Sequence, residues 1–161
     1  MTLALTSTQV WDALEKELFA VLGMVTPKQE ARTVGVVYVV RKGKFYIATG
    51  QQTWKARHIQ TNPHVSMTVP IAKRIPIMPW VKIPAATITF SGTARVLAPE
   101  ESAPELLRAI FRQNADNQAL MAESCLIEVT PHGDFITYGV GIPLMQMRHP
   151  EQARGRAAVG G

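Results

Sequence analysis

The sequence predicts an α+β fold in which six or seven mainly antiparallel strands close into a small barrel with a few flanking helices. Three observations predict it. Short runs rich in β-branched and aromatic residues recur between turn residues, and only two stretches carry helical periodicity. Apolar residues make up 47% of the 161 residues and charged residues 18%, a globular composition. Strands this numerous in a chain this short most simply remove their exposed edges by closing on themselves.

The elements follow in order. Ser7 to about Phe19 reads as an amphipathic helix, with Ser7 or Thr8 as cap and Val10, Leu14, Leu18 and Val21 at helical spacing. Phe19 to Val25 is a strand ending at Thr26-Pro27. Val34–Val40 and Phe45–Thr49 flank Arg41-Lys42-Gly43-Lys44, which predicts a β-hairpin. A short loop through Gly50 leads to a helix starting near Thr53. Asn62-Pro63 breaks it and launches a strand over His64–Val69. Thr87–Leu97 is a longer strand, and Gly92 inside it marks a bulge or a close backbone approach. Pro99-Glu100-Glu101 opens a second helical region with Leu106, Leu107, Ile110 and Phe111 on its apolar face. Leu126–Thr130 and Phe135–Val140 flank Pro131-His132-Gly133-Asp134 and predict a final hairpin. One domain over residues 1–147 is expected, followed by a mobile tail over residues 148–161 with little to bury.

Several classes are excluded. A lone Cys125 rules out a disulfide framework, and no Cys/His cluster has zinc spacing, so no metal site is expected. Apolar runs such as Val34–Val40 are far short of a membrane span, and no membrane partner is expected. Asp12, Glu15, Lys16 and Glu17 interrupt the first 23 residues, which therefore do not read as a signal peptide. A reducing, cytoplasmic setting is the expectation.

Charge is unevenly placed. Ala31 to Pro99 contains ten Lys or Arg and no Asp or Glu, so the rest of this +5 chain is net acidic. A one-signed middle suits a phosphate or polyanion partner, and hairpin turns and strand edges account for part of it. Within it, Thr53 would sit at a helix N-cap and Lys55 in the first turn, where a cation opposes the helix dipole. An anion held there removes that conflict, because helix N-termini offer unpaired N–H groups.

The segment Ala48-Thr49 through Thr53-Trp54-Lys55-Ala56-Arg57-His58-Ile59, then Thr61-Asn62-Pro63-His64-Val65-Ser66, resembles the pyridoxamine 5′-phosphate oxidase-like FMN-binding split barrels. The preceding hairpin and Ser91-Gly92-Thr93-Ala94-Arg95 extend the resemblance over about Thr33 to Leu97. It implies a split β-barrel homodimer and an FMN-dependent oxidoreductase with the cofactor in a groove at the subunit boundary. By position it implies that Thr49, Thr53 and Lys55 hold the phosphate, with Trp54 beside them and Arg57 as a second cation. Val36, Val37 and Tyr38 would run along the flavin ring, and Thr87 falls where the family has a flavin-contacting Gln. Trp54 and the Val34–Val37 run replace two arginines of the classical oxidase. Met147-Arg148-His149-Pro150 does not reproduce that enzyme's substrate-gripping C-terminal segment, so pyridoxamine phosphate oxidation is not expected and the substrate stays open.

Alternatives remain within the same fold. The deazaflavin F420 carries an acidic tail that Lys73, Arg74 and Lys82 could meet, and one of His58, His64, His132 and His149 could ligate haem, as in haem-binding relatives. A non-catalytic binding protein is the corresponding function. A nucleic-acid-binding barrel would need regularly interleaved aromatics; Tyr38, Tyr46, Trp54 and Trp80 lack that spacing, so nucleic acid is not the expected partner. Trp80, among Pro76, Met78 and Pro79, is either a lid over a planar ligand or packing at the barrel mouth or a second subunit.

Overall fold

Alternate burial along the strands builds the sheet. The computed structural model describes residues 3–160. Ala20, Leu22 and Met24 turn inward from β2 (Phe19–Val25), as do Val65, Met67 and Val69 from β6 (His64–Ile71). Phe45 and Ile47 do so from β5 (Lys44–Gly50), and Ile88, Phe90 and Ala94 from β7 (Ala86–Leu97). The remaining strands are β1 (Leu3–Ala4), β3 (Ala31–Val37), β4 (Val39–Arg41), β8 (Ser124–Tyr138) and β9 (Arg154–Ala158). The path runs β1-β9-β8-β7-β6-β2-β3, with β5 pairing to β8 and β4 to β5. All pairs are antiparallel except β1 with β9. The helices are α1 (Ser7–Lys16), α2 (Trp54–Thr61), α3 (Pro104–Phe111), α4 (Gln118–Glu123) and α5 (Pro150–Ala153). The fold is an α+β split barrel.

Inside the barrel, Phe45 stacks on Phe90 at 4.7 Å and on Trp11 of α1 at 5.5 Å, while Phe135 meets Phe90 edge-on. Offset and edge-on rings are the geometries that aromatic quadrupoles favour. α1 plugs the barrel with Val10 and Leu14, both fully buried. Its cap is Thr6, one residue before the expected pair. Thr6 Oγ1 accepts from the Gln9 N–H and Gln9 Oε1 accepts from the Thr6 N–H, a reciprocal box.

The hairpin turn forms as predicted, with Lys42 and Gly43 both at positive φ (50° and 69°) between Arg41 and Lys44. Gly92 is a close approach, since a Cβ there would meet the Thr130 carbonyl oxygen at 2.9 Å. Other expectations fail. Pro131-His132-Gly133-Asp134 does not reverse the chain: β8 is one strand of 15 residues, with Gly133 at φ 73° where its register with β7 shifts. β7 runs along one edge of β8, and the other edge is shared by β5 in its first half and β9 in its second. The expected mobile tail is instead α5 and β9. Gly155 and Ala157 face inward while Arg154 and Arg156 face out, so small residues suffice where little space remains. The Val159 carbonyl accepts from Ser7 Oγ and from Trp11 Nε1, tying the C-terminal segment to α1.

The predicted strand Val34–Val40 also divides, at Tyr38. Its N–H donates to the Leu18 carbonyl (3.0 Å) and its hydroxyl to the Leu14 carbonyl (2.7 Å), near the C-terminal end of α1. The side chain is 2% exposed, and burial, then Glu17, raises its pKa above the ordinary tyrosine value. At this residue the chain leaves β2 and crosses to β5. Tyr38→Phe removes a bond of about 1 kcal/mol and strands a carbonyl, so its melting temperature should fall by about 3–6 °C. An unchanged melting curve would show that the phenol contributes packing alone.

Candidate functional site

β3 and β5 lie side by side but share no ladder: β3 pairs only with β2, and β5 with β4 and β8. The opening between them is a cavity of about 270 Å³ lined by Gly35, Val36, Val37, Ile47, Ala48, Lys55 and Ile110. Val36 is buried whereas Val37 is 59% exposed. The unpaired edge of β3 therefore presents backbone donors and acceptors to whatever fills the groove.

Lys55 enters this groove from the β5-to-α2 junction. β5 ends at Gly50, whose carbonyl accepts both the Thr53 N–H (3.1 Å) and Thr53 Oγ1 (2.8 Å). Thr53 occupies the N-cap, yet its side chain makes no capping bond to α2. The first N–H groups of the helix thus lack the side-chain partner that a cap normally supplies. Thr49 Oγ1 lies 3.3 Å from Thr53 Oγ1. Gln51 Nε2 donates to the Ala122 and Ser124 carbonyls and fastens the junction to the start of β8. Lys55 is half-buried and forms no ion pair among the described residues.

The groove therefore brings together Val36, Val37 and Lys55, with Thr49 and Thr53 at the junction beside it. Tyr38 lines a neighbouring cavity, and its N–H and hydroxyl already have partners. Arg57 lies apart: it donates to Gln52 Oε1 (3.1 Å) and lines a different cavity with Gln60, Leu97 and Cys125. Trp54 is exposed, 5.5 Å from the His58 ring. Thr87 pairs with Pro70 and Tyr138 at the far end of β7 from Leu97, distant from Lys55 within one chain. Lys73, Arg74 and Lys82 sit on the β6–β7 loop, likewise outside the groove.

The neighbouring cavity, about 710 Å³, shares Val37 and Ile110 with the groove. Its walls include Lys16, Arg41, Lys42 and Arg112, opposed by Glu15 and Glu17. Arg112 adopts φ 53° and ψ −125°, a strained conformation for a residue with a Cβ.

One cluster escaped the sequence reading. Glu128 is buried on the outer face of β8, accepting from Arg95 Nε (2.7 Å), Lys44 Nζ (3.2 Å) and the Tyr46 hydroxyl (2.9 Å). Its signal was a single carboxylate inside the apolar run Cys125–Val129. Burial works to raise the Glu128 pKa, but hydrogen bonds from Arg95, Tyr46 and Lys44 outweigh it and hold the carboxyl below its ordinary value. Burial and the hydrogen bond to Glu128 push Tyr46 up to about 12. Two of the ten central cations thus serve this carboxylate. Because Glu128 is depressed on folding, its contribution is complete above the ordinary Glu range near pH 4.3 and is lost as pH falls through the lower folded value. Glu128→Gln should lower the melting temperature at pH 7 by about 5 °C and flatten the loss of stability between about pH 5 and 3. An acid limb identical to that of the parent would contradict the assignment.

The sequence matches the family described as pyridoxamine 5′-phosphate oxidase over residues 7–133. No curated protein matches the chain significantly. Solved structures of similar fold include a putative pyridoxamine 5′-phosphate oxidase from Listeria innocua (15% identity, TM-score 0.61, covering 78% of this chain and 92% of that one). An F420 reductase is similar at 19% identity and TM-score 0.53, covering 77% and 93% of the two chains. The haem storage protein HutZ of Vibrio cholerae is similar at 13% identity and TM-score 0.65, covering 85% and 98%. Identities this low establish shared fold, and the family match extends over most of the chain. Split barrel, open β3–β5 groove and matched sequence agree: this chain belongs to the pyridoxamine 5′-phosphate oxidase family.

Proposed function

We propose that the chain is an FMN-dependent oxidoreductase that holds the flavin in the β3–β5 groove with its phosphate at the Thr49–Lys55 junction. The observation that carries this reading is Lys55, an unpaired cation in the groove at a helix N-terminus that its own N-cap side chain leaves open. The residues fit a phosphate monoester: free N–H groups and an ammonium supply donors where the helix dipole favours an anion. Thr53 donates its proton to the Gly50 carbonyl, so Thr49 is the hydroxyl more readily redirected to a phosphate. The free edge of β3 at Val36 and Val37 supplies backbone groups to a planar ring. Bound flavin provides hydride or electron transfer, while the protein orients it and limits water access. The cavity beside Val37 and Ile110 gives a substrate room next to that ring.

We further propose a homodimer, in which a second copy covers exposed Leu18, Phe19 and Val37 near the groove, and a cytoplasmic setting, which suits the unpaired Cys125. Among the described residues, no helix is long and apolar enough to cross a membrane. A deazaflavin in the same groove is the second reading. It is favoured by Lys16, Arg41, Lys42 and Arg112 around the adjoining cavity, which suit an acidic tail; a solved structure of similar fold is an F420 reductase.

Charge-assisted hydrogen bonds contribute about 1.5–3 kcal/mol, so Lys55→Ala should weaken FMN about 10- to 150-fold. Thr49→Ala should weaken it about fivefold, as a neutral bond of about 1 kcal/mol implies. Titration by flavin fluorescence quenching measures both. Parent-like affinity in both variants would remove the phosphate assignment.

A further inference from the structure

The loop between β6 and β7, residues 72–85, projects an apolar tip that nothing among the described residues covers. Ile77 is 85% exposed and Trp80 75%, with Met78 and Val81 exposed beside them. Its base is closed by the Ile71–Ala86 pair, and the tip is folded by two tight turns, Met78 N–H to the Ile75 carbonyl and Val81 N–H to the Met78 carbonyl (both 3.1 Å). Pro76, Pro79 and Pro84 restrict its backbone. Packing within the chain does not account for an indole this exposed, and Trp80 lines neither the groove nor the cavity beside it, so it is no lid over them.

Lys73, Arg74 and Lys82 bracket the tip, and the loop contains no acidic residue. Asp12 and Glu17 line a cavity with Ile71 at the loop's base, none of whose walls is a tip residue. We propose that this loop docks the protein peripherally on an anionic lipid bilayer. Trp80 would lie at headgroup depth, Ile77 and Met78 would enter the acyl boundary, and Lys73, Arg74 and Lys82 would meet lipid phosphates. Amphipathic aromatics and basic side chains favour that interface, and a bilayer accepts a convex knob without a matching pocket. Charge complementarity commits the occupant: three cations around an apolar tip suit an anionic surface. Peripheral docking needs no spanning helix, and it is independent of the cofactor.

Co-sedimentation of the full chain with phosphatidylcholine vesicles, with and without phosphatidylserine, tests it. Binding should require phosphatidylserine, fall with added salt, and drop at least about tenfold in both Ile77→Ala/Trp80→Ala and Lys73→Glu/Arg74→Glu. Both variants should keep the parent's melting temperature, because Ile77 and Trp80 are largely exposed and Lys73 and Arg74 form no ion pair among the described residues. Binding indifferent to phosphatidylserine, or unaffected by the substitutions, would overturn the proposal. So would a loop variant that fails to bind only because it converts a dimer to a monomer by sedimentation, since the knob would then be a contact between copies.

Discussion

The anchoring of Tyr38 governs how this barrel opens. Up to Val37 the chain pairs with β2, and from Val39 it pairs with β5. Between the two ladders the Tyr38 side chain is buried, bonded to carbonyls at Leu14 and Leu18 through its hydroxyl and its N–H. That residue carries the chain across the opening, so β3 and β5 approach without joining. The seam is a consequence of topology, and it leaves the β3 edge free where Lys55 enters. A continuous β3–β5 ladder would satisfy the same backbone groups and remove the groove.

The acid-free middle of the chain divides into distinct uses once folded. Lys44 and Arg95 neutralise buried Glu128 and fasten β5, β8 and β7 together beneath the patch covered by α3. Arg41 and Lys42 line the large cavity, Lys55 the groove, and Lys73, Arg74 and Lys82 the projecting loop. Tyr38 and Tyr46 are engaged within the chain, which leaves only Trp54 and Trp80 of the four aromatics as exposed surfaces.

Features written over a few neighbouring residues were legible in the sequence. The Arg41–Lys44 turn, the short helix after Thr53 and the close approach at Gly92 follow from local chemistry. So does the placement of Lys55 in the first turn of α2. The illegible features depend on partners distant in sequence. Pro131-His132-Gly133-Asp134 has the composition of a turn, and only the β7 ladder that resumes after a register shift there, with the two strands sharing the opposite edge, keeps it within β8. β9 has little to bury and is held by pairing. Glu128 draws partners from β5 and β7, 84 and 33 residues away. Within the candidate site, Val36, Val37 and Lys55 converge, whereas Arg57 and Thr87 lie elsewhere in the chain.

The role proposed for the β3–β5 groove is to hold a flavin by its phosphate. An absorbance spectrum of the purified protein after FMN loading and gel filtration tests it most directly. A two-band flavin spectrum should co-elute with the protein and be displaced by competing FMN but not by riboflavin, which has no phosphate. Protein eluting without any flavin absorbance after loading, or a Soret band acquired from haem in its place, would contradict it.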